Sequence, residues 1–278
     1  ALTWIGTPAW NALAMESAGE GRRGWGLSLI LFAGIAPGIV FSPVGGWFVE
    51  NYGYAPLFAL SIAMESLCLF TIVFFVREVV SVEGGAGRRG ILAGLYPSER
   101  ALRRLYLVTA VDSFSWGLGS ALFYGFIAKW YGYSEYELGL LSGIFTASWA
   151  LSQIPVGKVA DRYGGRKALI LSEVIGLAAL VLWLSSGEFL VLALSEALMG
   201  VTPALWIPGI NTYIAEKSPE ERVASNIGGL AAFRGLLSFP APYIGGLLFD
   251  LAGIQVPFLA NLIGVIIALS GLVFVLED

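Results

Sequence analysis

Apolar residues run through this chain in long blocks, each about as long as a bilayer core is thick, with short polar breaks between them. A spanning helix needs about 20 mostly apolar residues. Eight complete stretches have that form, at 25–49, 56–76, 105–128, 137–157, 168–186, 189–213, 226–249 and 255–276, and 1–14 reads as the tail of a ninth. The pattern predicts an all-α, polytopic membrane protein. One connection is long. It contains EGGAGRRG at 83–90, whose glycines and arginines predict a linker between two bundles. The chain thus divides into 1–78, a linker at 79–104, and 105–278.

Composition strengthens this reading. Of 278 residues 57% are hydrophobic and 13% charged, with a mean hydropathy of +0.77, too apolar for a water-facing surface. There is no His, and Cys68 is the only Cys, which removes disulfide frameworks, Cys/His zinc sites and His-dependent triads. The glycine-rich linker lacks the Gly-Lys-Ser/Thr ending of a phosphate-binding loop. No enzyme, cofactor, metal or nucleic-acid partner is expected, and the protein is expected to be monomeric in its lipid bilayer. The chain opens on Ala1 inside an apolar stretch, so a longer polypeptide is expected, with further helices before it.

The cations are distributed unevenly. If the chain changes sides at each span, fourteen of its sixteen Lys and Arg fall on one side; Lys129 falls on the other and Arg234 within a helix. The positive-inside rule then places the linker and the C-terminus in the cytoplasm of a multi-pass cell-membrane protein.

The chain also repeats itself. Shifted by 200 residues, Pro8 meets Pro208, Glu16 meets Glu216, Arg22 meets Arg222, Gly45-Gly46 meets Gly245-Gly246 and Gly53 meets Gly253, among twelve identities over 8–78 against 208–278. Residues 1–78 would then correspond to the last three helices of the second half. Two six-helix halves in parallel repeat, the first incomplete, is a transporter plan.

Between two of the apolar runs lies GKVADRYGGRK at 157–167. Gly157, Asp161, Arg162, Gly164, Arg166 and Lys167 resemble the cytoplasmic loop signature of the major facilitator superfamily. The position agrees too, between the second and third helices after the linker. The resemblance implies a major facilitator fold, helices four (partial) through twelve, acting by alternating access on a small-molecule substrate. In physical terms Asp161 would follow a helix end, face neighbouring helix dipoles and pair with an arginine, latching the two bundles. The plainer alternative is a topology anchor.

Small residues recur every fourth position at Gly34, Gly38, Ser42 and Gly46, with Pro43 alongside, and again at Gly139, Gly143 and Ala147. Residues four apart share a helix face, so each row predicts a groove where another helix comes close. Gly38, Ser42, Pro43, Gly45 and Gly46 also resemble the proline–glycine signature of the family's antiporters, with Ser42 in place of a glycine. That similarity implies proton-coupled efflux.

Ionisable groups inside the membrane are costly and mark function. Asp112 and Arg234 each lie about nine residues into an apolar segment, about 12 Å deep. They form either a structural ion pair or a site in which Asp112 exchanges protons or Arg234 holds an anion. Asp112, Trp116, Gly119 and Phe123 follow one face, an acid above an aromatic wall suited to a lipophilic cation. Glu196, Trp206 and Asn211 are further candidates for the substrate or proton pathway. Glu173, close to a helix start, is assigned no transport role. The expected function is proton-coupled export of a small organic molecule, against uptake by symport or a transport-silent receptor.

Overall fold

A computed structural model describes residues 32–75, 97 and 99–276; the side chains of 154, 156–161 and 220 lie outside that description. The tail at 1–14 and most of the linker fall outside it as well. Every regular element among the described residues is helical. A helical turn at 32–35 leads into α1 (Pro37–Tyr52), followed by α2 (Tyr54–Phe75) and α3 (Arg100–Gly119). A 3-10 turn (Ser120–Leu122) joins α3 to α4 (Phe123–Tyr131). Then come α5 (Glu135–Tyr163), α6 (Gly165–Ser185), α7 (Phe189–Lys217), α8 (Val223–Ser238), α9 (Ala241–Ala252) and α10 (Gln255–Phe274).

Local chemistry explains the boundaries. Pro37 sits in the first turn of α1, where a missing N–H costs nothing. Gly53 ends that helix with φ +80, its N–H bonded to the Val49 carbonyl at 2.8 Å. Two hundred residues on, α9 ends the same way: Gly253 has φ +84 and bonds Phe249 at 2.9 Å. Only glycine enters that backbone region cheaply, so the repeated sequence signal is a repeated turn. At the start of α5, Ser134 and Glu137 cap each other reciprocally, at 2.9 and 3.3 Å.

Three sequence boundaries shift. The segment 226–249 is two helices, because Pro240 opens α9 in place of continuing α8. The helix after the linker begins at Arg100, so Arg100, Arg103 and Arg104 are helical. Within 157–167 only Gly164, at φ +88, lies outside a helix; the charged stretch is the end of α5 and the start of α6, not a loop.

The helices from α3 onward surround two aromatic-rich cores. Phe123 stacks on Trp183 at 4.2 Å and Phe126 on Phe249 at 4.5 Å in one; Leu102, Tyr106, Tyr213 and Leu272 pack in the other. α10 packs against both α3 and α6, α7 lies between α5 and α6, and α1 lies along α5. At one end, Tyr133 donates to the Gly187 carbonyl at 2.6 Å, tying two connections together. At the other, Arg104 donates to the Val275 carbonyl at 3.2 Å, beside Arg166 at the same helix end. α2 buries none of its residues, which is how a helix facing lipid looks.

Among the described residues, six helices are long and apolar enough to cross a membrane: Phe32–Tyr52, Tyr54–Phe75, Gly165–Ser185, Phe189–Lys217, Val223–Ala252 and Gln255–Phe274. The expected segments 105–128 and 137–157 are helical without being that apolar. They hold Asp112 and the second row of small residues.

Candidate transport site

The two rows of small residues meet. A Cβ on Gly139 would lie 2.6 Å from the Ser42 carbonyl oxygen and 3.2 Å from the Gly46 Cα; one on Gly143 would lie 3.0 Å from the Pro43 ring. A Cβ on Gly38 would touch Thr146 at 2.9 Å, and one on Gly46 would strike the Glu135 carbonyl. Backbone meets backbone along this α1–α5 seam, as only glycine permits. Gly34 and Gly45 are corrections: a Cβ on either would meet nothing within 4 Å, because they point off the seam. Beside the seam a cavity of about 520 Å³ is lined by Phe41, Tyr54, Tyr124, Glu135 and Ser142, among others.

The loop-signature residues separate. Arg162 and Lys167 are exposed, and Arg162 lies over the Tyr163 ring at 5.4 Å. Arg166 donates through Nε to the Leu272 carbonyl at 3.0 Å and through Nη2 to Val273. It therefore caps the C-terminal end of α10, where a cation satisfies orphan carbonyls. This contact joins α6 to α10; the expected Asp161 latch involves a side chain outside the described residues. Gly157 is in α5 and Asp161 in its last turn, and the Asp161 side chain lies outside the description. Gly165 is explained by packing: its Cβ would lie 2.5 Å from the Gly209 carbonyl and 2.8 Å from the Tyr213 Cβ, so α6 and α7 could not approach if it were larger.

Deeper in, α3 and α8 bring Asp112 and Arg234 together. The Arg234 Nη2 lies 3.8 Å from the Asp112 Oδ2, Nε donates to the Ser113 hydroxyl at 2.6 Å, and the guanidinium sits 5.3 Å from the centre of the Trp206 ring. Asp112 is only 2% exposed. Each residue is three turns past the start of its helix, about 17 Å along the axis. Facing Asp112 from α6 is Glu173, 3% exposed. The two carboxyl groups are close enough to each other to interact directly. The Trp116 ring packs on α6 at Gly176, where a Cβ would lie 2.8 Å away. Sequence reasoning passed over Glu173, although an acid two turns inside an apolar helix was the available signal.

Phe123 is a further correction. It is 2% exposed and belongs to the aromatic core against Trp183 and Phe258. The 3-10 turn after Gly119 rotates α4 relative to α3, so the helical spacing from Asp112 breaks there; Ser120 marks the break by donating back to the Trp116 carbonyl at 2.5 Å. Glu196, 3% exposed, accepts from the Tyr124 hydroxyl at 2.8 Å. Tyr124 lines the cavity beside the seam, so Glu196 connects to that cavity. It lies ten residues from Trp206 on α7, about 15 Å away, and is a separate site. Asn211 is half-buried on α7.

The described residues form a helical bundle with glycine-lined crossings and an Asp112–Arg234 ion pair inside it. Residues 105–278 match the Major Facilitator Superfamily, and the chain belongs to that family. It is a membrane transporter's fold, not an enzyme's. The chain is 22% identical over 257 residues to the multidrug resistance protein MdtG of Salmonella paratyphi A (strain ATCC 9150 / SARB42), of Salmonella arizonae and of Salmonella typhi. The match covers 90% of this chain and 63% of each relative, so the chain spans somewhat under two thirds of their length.

Proposed function

We propose that the protein exports a small organic molecule by alternating access, coupled to protons entering the cell. The observation that carries this reading is the pair of buried Asp112 with half-buried Arg234 at 3.8 Å, with Trp206 under the guanidinium. A charge pair held in an apolar bundle costs free energy unless it serves a cycle in which it opens. When the cavity wets, Asp112 can take a proton and release Arg234, changing what holds α3 to α8. The α1–α5 seam supports the same reading from the mechanical side, because a smooth backbone contact lets two bundles tilt without interlocking. We take 1–78 as part of one bundle, 79–104 as the connection and 105–278 as the second bundle, with the connection and Lys167 facing the cytoplasm.

The multidrug resistance function in the relatives' name supports a lipophilic substrate, and Trp116 and Trp206 would offer it aromatic faces. Arg234 supports one rival, uptake of an organic anion by symport. Membrane vesicles containing the full protein separate these readings. Ethidium should move against the imposed proton gradient, and Asp112→Asn should abolish that coupling with the protein still in the membrane. Substrate flux that follows the proton gradient would favour symport. An absence of flux under any gradient would favour a receptor.

A further inference from the structure

We infer that Asp112 and Glu173 act as one two-carboxyl unit sharing a single proton, with Arg234 balancing the charge that remains. The inference deepens the transport reading and rests on it for its role, though not for its chemistry. Four observations carry it. Both side chains are buried, to 2% and 3% exposure. Their carboxyl groups reach each other across the gap between α3 and α6. Asp112 Oδ1 and Glu173 Oε2 find no hydrogen-bond donor among the described residues when both acids are ionised. And Arg234 reaches the opposite oxygen, Asp112 Oδ2.

The charges decide the protonation state. α10, packed against both α3 and α6, carries no Asp, Glu, Lys or Arg. α8 supplies Arg234 alone, and α7 places no charged residue between Glu196 and Glu216. Two ionised acids beside one guanidinium would leave a net negative charge in an apolar interior. Two protonated acids would leave Arg234 unpaired. One proton makes the group neutral and gives the orphaned oxygens a donor, as paired carboxyls at close range require. A second proton would then convert the unit to two neutral acids and leave Arg234 held only by the Ser113 hydroxyl and the Trp206 ring that it already touches. Glu173 is thus a positioning residue: it determines how readily Asp112 takes and gives up its proton.

The test is infrared spectroscopy of the purified chain in detergent at neutral pH, in the Glu196→Gln background to remove the third buried acid among the described residues. Protonated carboxyl groups absorb apart from ionised ones. Asp112→Asn and Glu173→Gln should each remove the same single-proton band, and the double variant should remove no more. Loss in one single variant only, or a twofold loss in the double, would overturn the inference. Should a variant fail to fold, isotope labelling keeps the question open to refutation. Carbon-13 aspartate and carbon-13 glutamate, introduced separately, should both shift that band. A band that answers to one label alone would mean an unshared proton. These outcomes require no transport. A shared band without proton-driven ethidium flux would retire the transport reading and keep the pair; flux with an unshared proton would do the reverse.

Discussion

The α1–α5 seam and the Asp112–Glu173–Arg234 cluster solve opposite problems in the same membrane. At the seam, Gly38, Gly46, Gly139 and Gly143 remove side chains so that two backbones touch. In the cluster, two buried acids meet a half-buried guanidinium inside an apolar bundle. The seam is held by close backbone contact and by the Tyr136 N–H donating to the Glu50 carboxylate at 3.2 Å. In the proposal made above, the cluster's charge balance changes by a whole unit when a proton arrives. Together they show two ways of bringing helices close: glycine where backbones touch, carboxyl and guanidinium where polar groups meet inside the bundle.

The largest effect should come from removing the cation. Arg234→Met leaves two acids facing one another, and breaking a buried pair from one side costs about 3–5 kcal/mol. The thermal midpoint in detergent should fall accordingly, most at alkaline pH, where both acids tend to ionise, and least at acid pH. Adding Asp112→Asn should restore most of it. If Arg234→Met alone unfolds at the parent's temperature, the cluster is not a charge-balanced unit. Next comes the seam. Gly139→Val should destabilise by about 1–3 kcal/mol through overpacking, with the same loss at every pH. A pH-dependent loss there would erase the distinction between the two regions. Tyr124→Phe, which leaves Glu196 without its donor, should cost about 1–3 kcal/mol. The smallest effect sharpens the picture most. Gly45→Ala, facing open space, should change stability by less than about 0.5 kcal/mol, whereas its neighbour Gly46→Ala meets the Glu135 carbonyl and should be measurably worse.

The seam was largely legible in the sequence because a period of four is a local property. What periodicity could not say is which glycines face the partner, so Gly34 was counted with the others, while Gly45 came in through the signature resemblance. The cluster was half legible. Asp112 and Arg234 stand out as charges deep in apolar runs. Glu173 was discounted because 168 was taken as the helix start; the helix in fact begins at Gly165, and α10 brings α6 close to α3 through contacts no local pattern encodes. Phe123 was misplaced because one 3-10 turn resets the register of a face. Arg166 reads as part of a charged loop until the far end of α10, more than a hundred residues away, arrives beside it. Helices and turns are written locally, while the partners of buried charges are written in the packing.

The account depends most on Asp112 carrying protons during transport. The direct measurement is the pH inside vesicles containing the full protein, followed as ethidium is added. The wild type should move protons in step with ethidium, and Asp112→Asn should move ethidium slowly or not at all, with no accompanying proton. Equal proton movement in the wild type and in Asp112→Asn would contradict it.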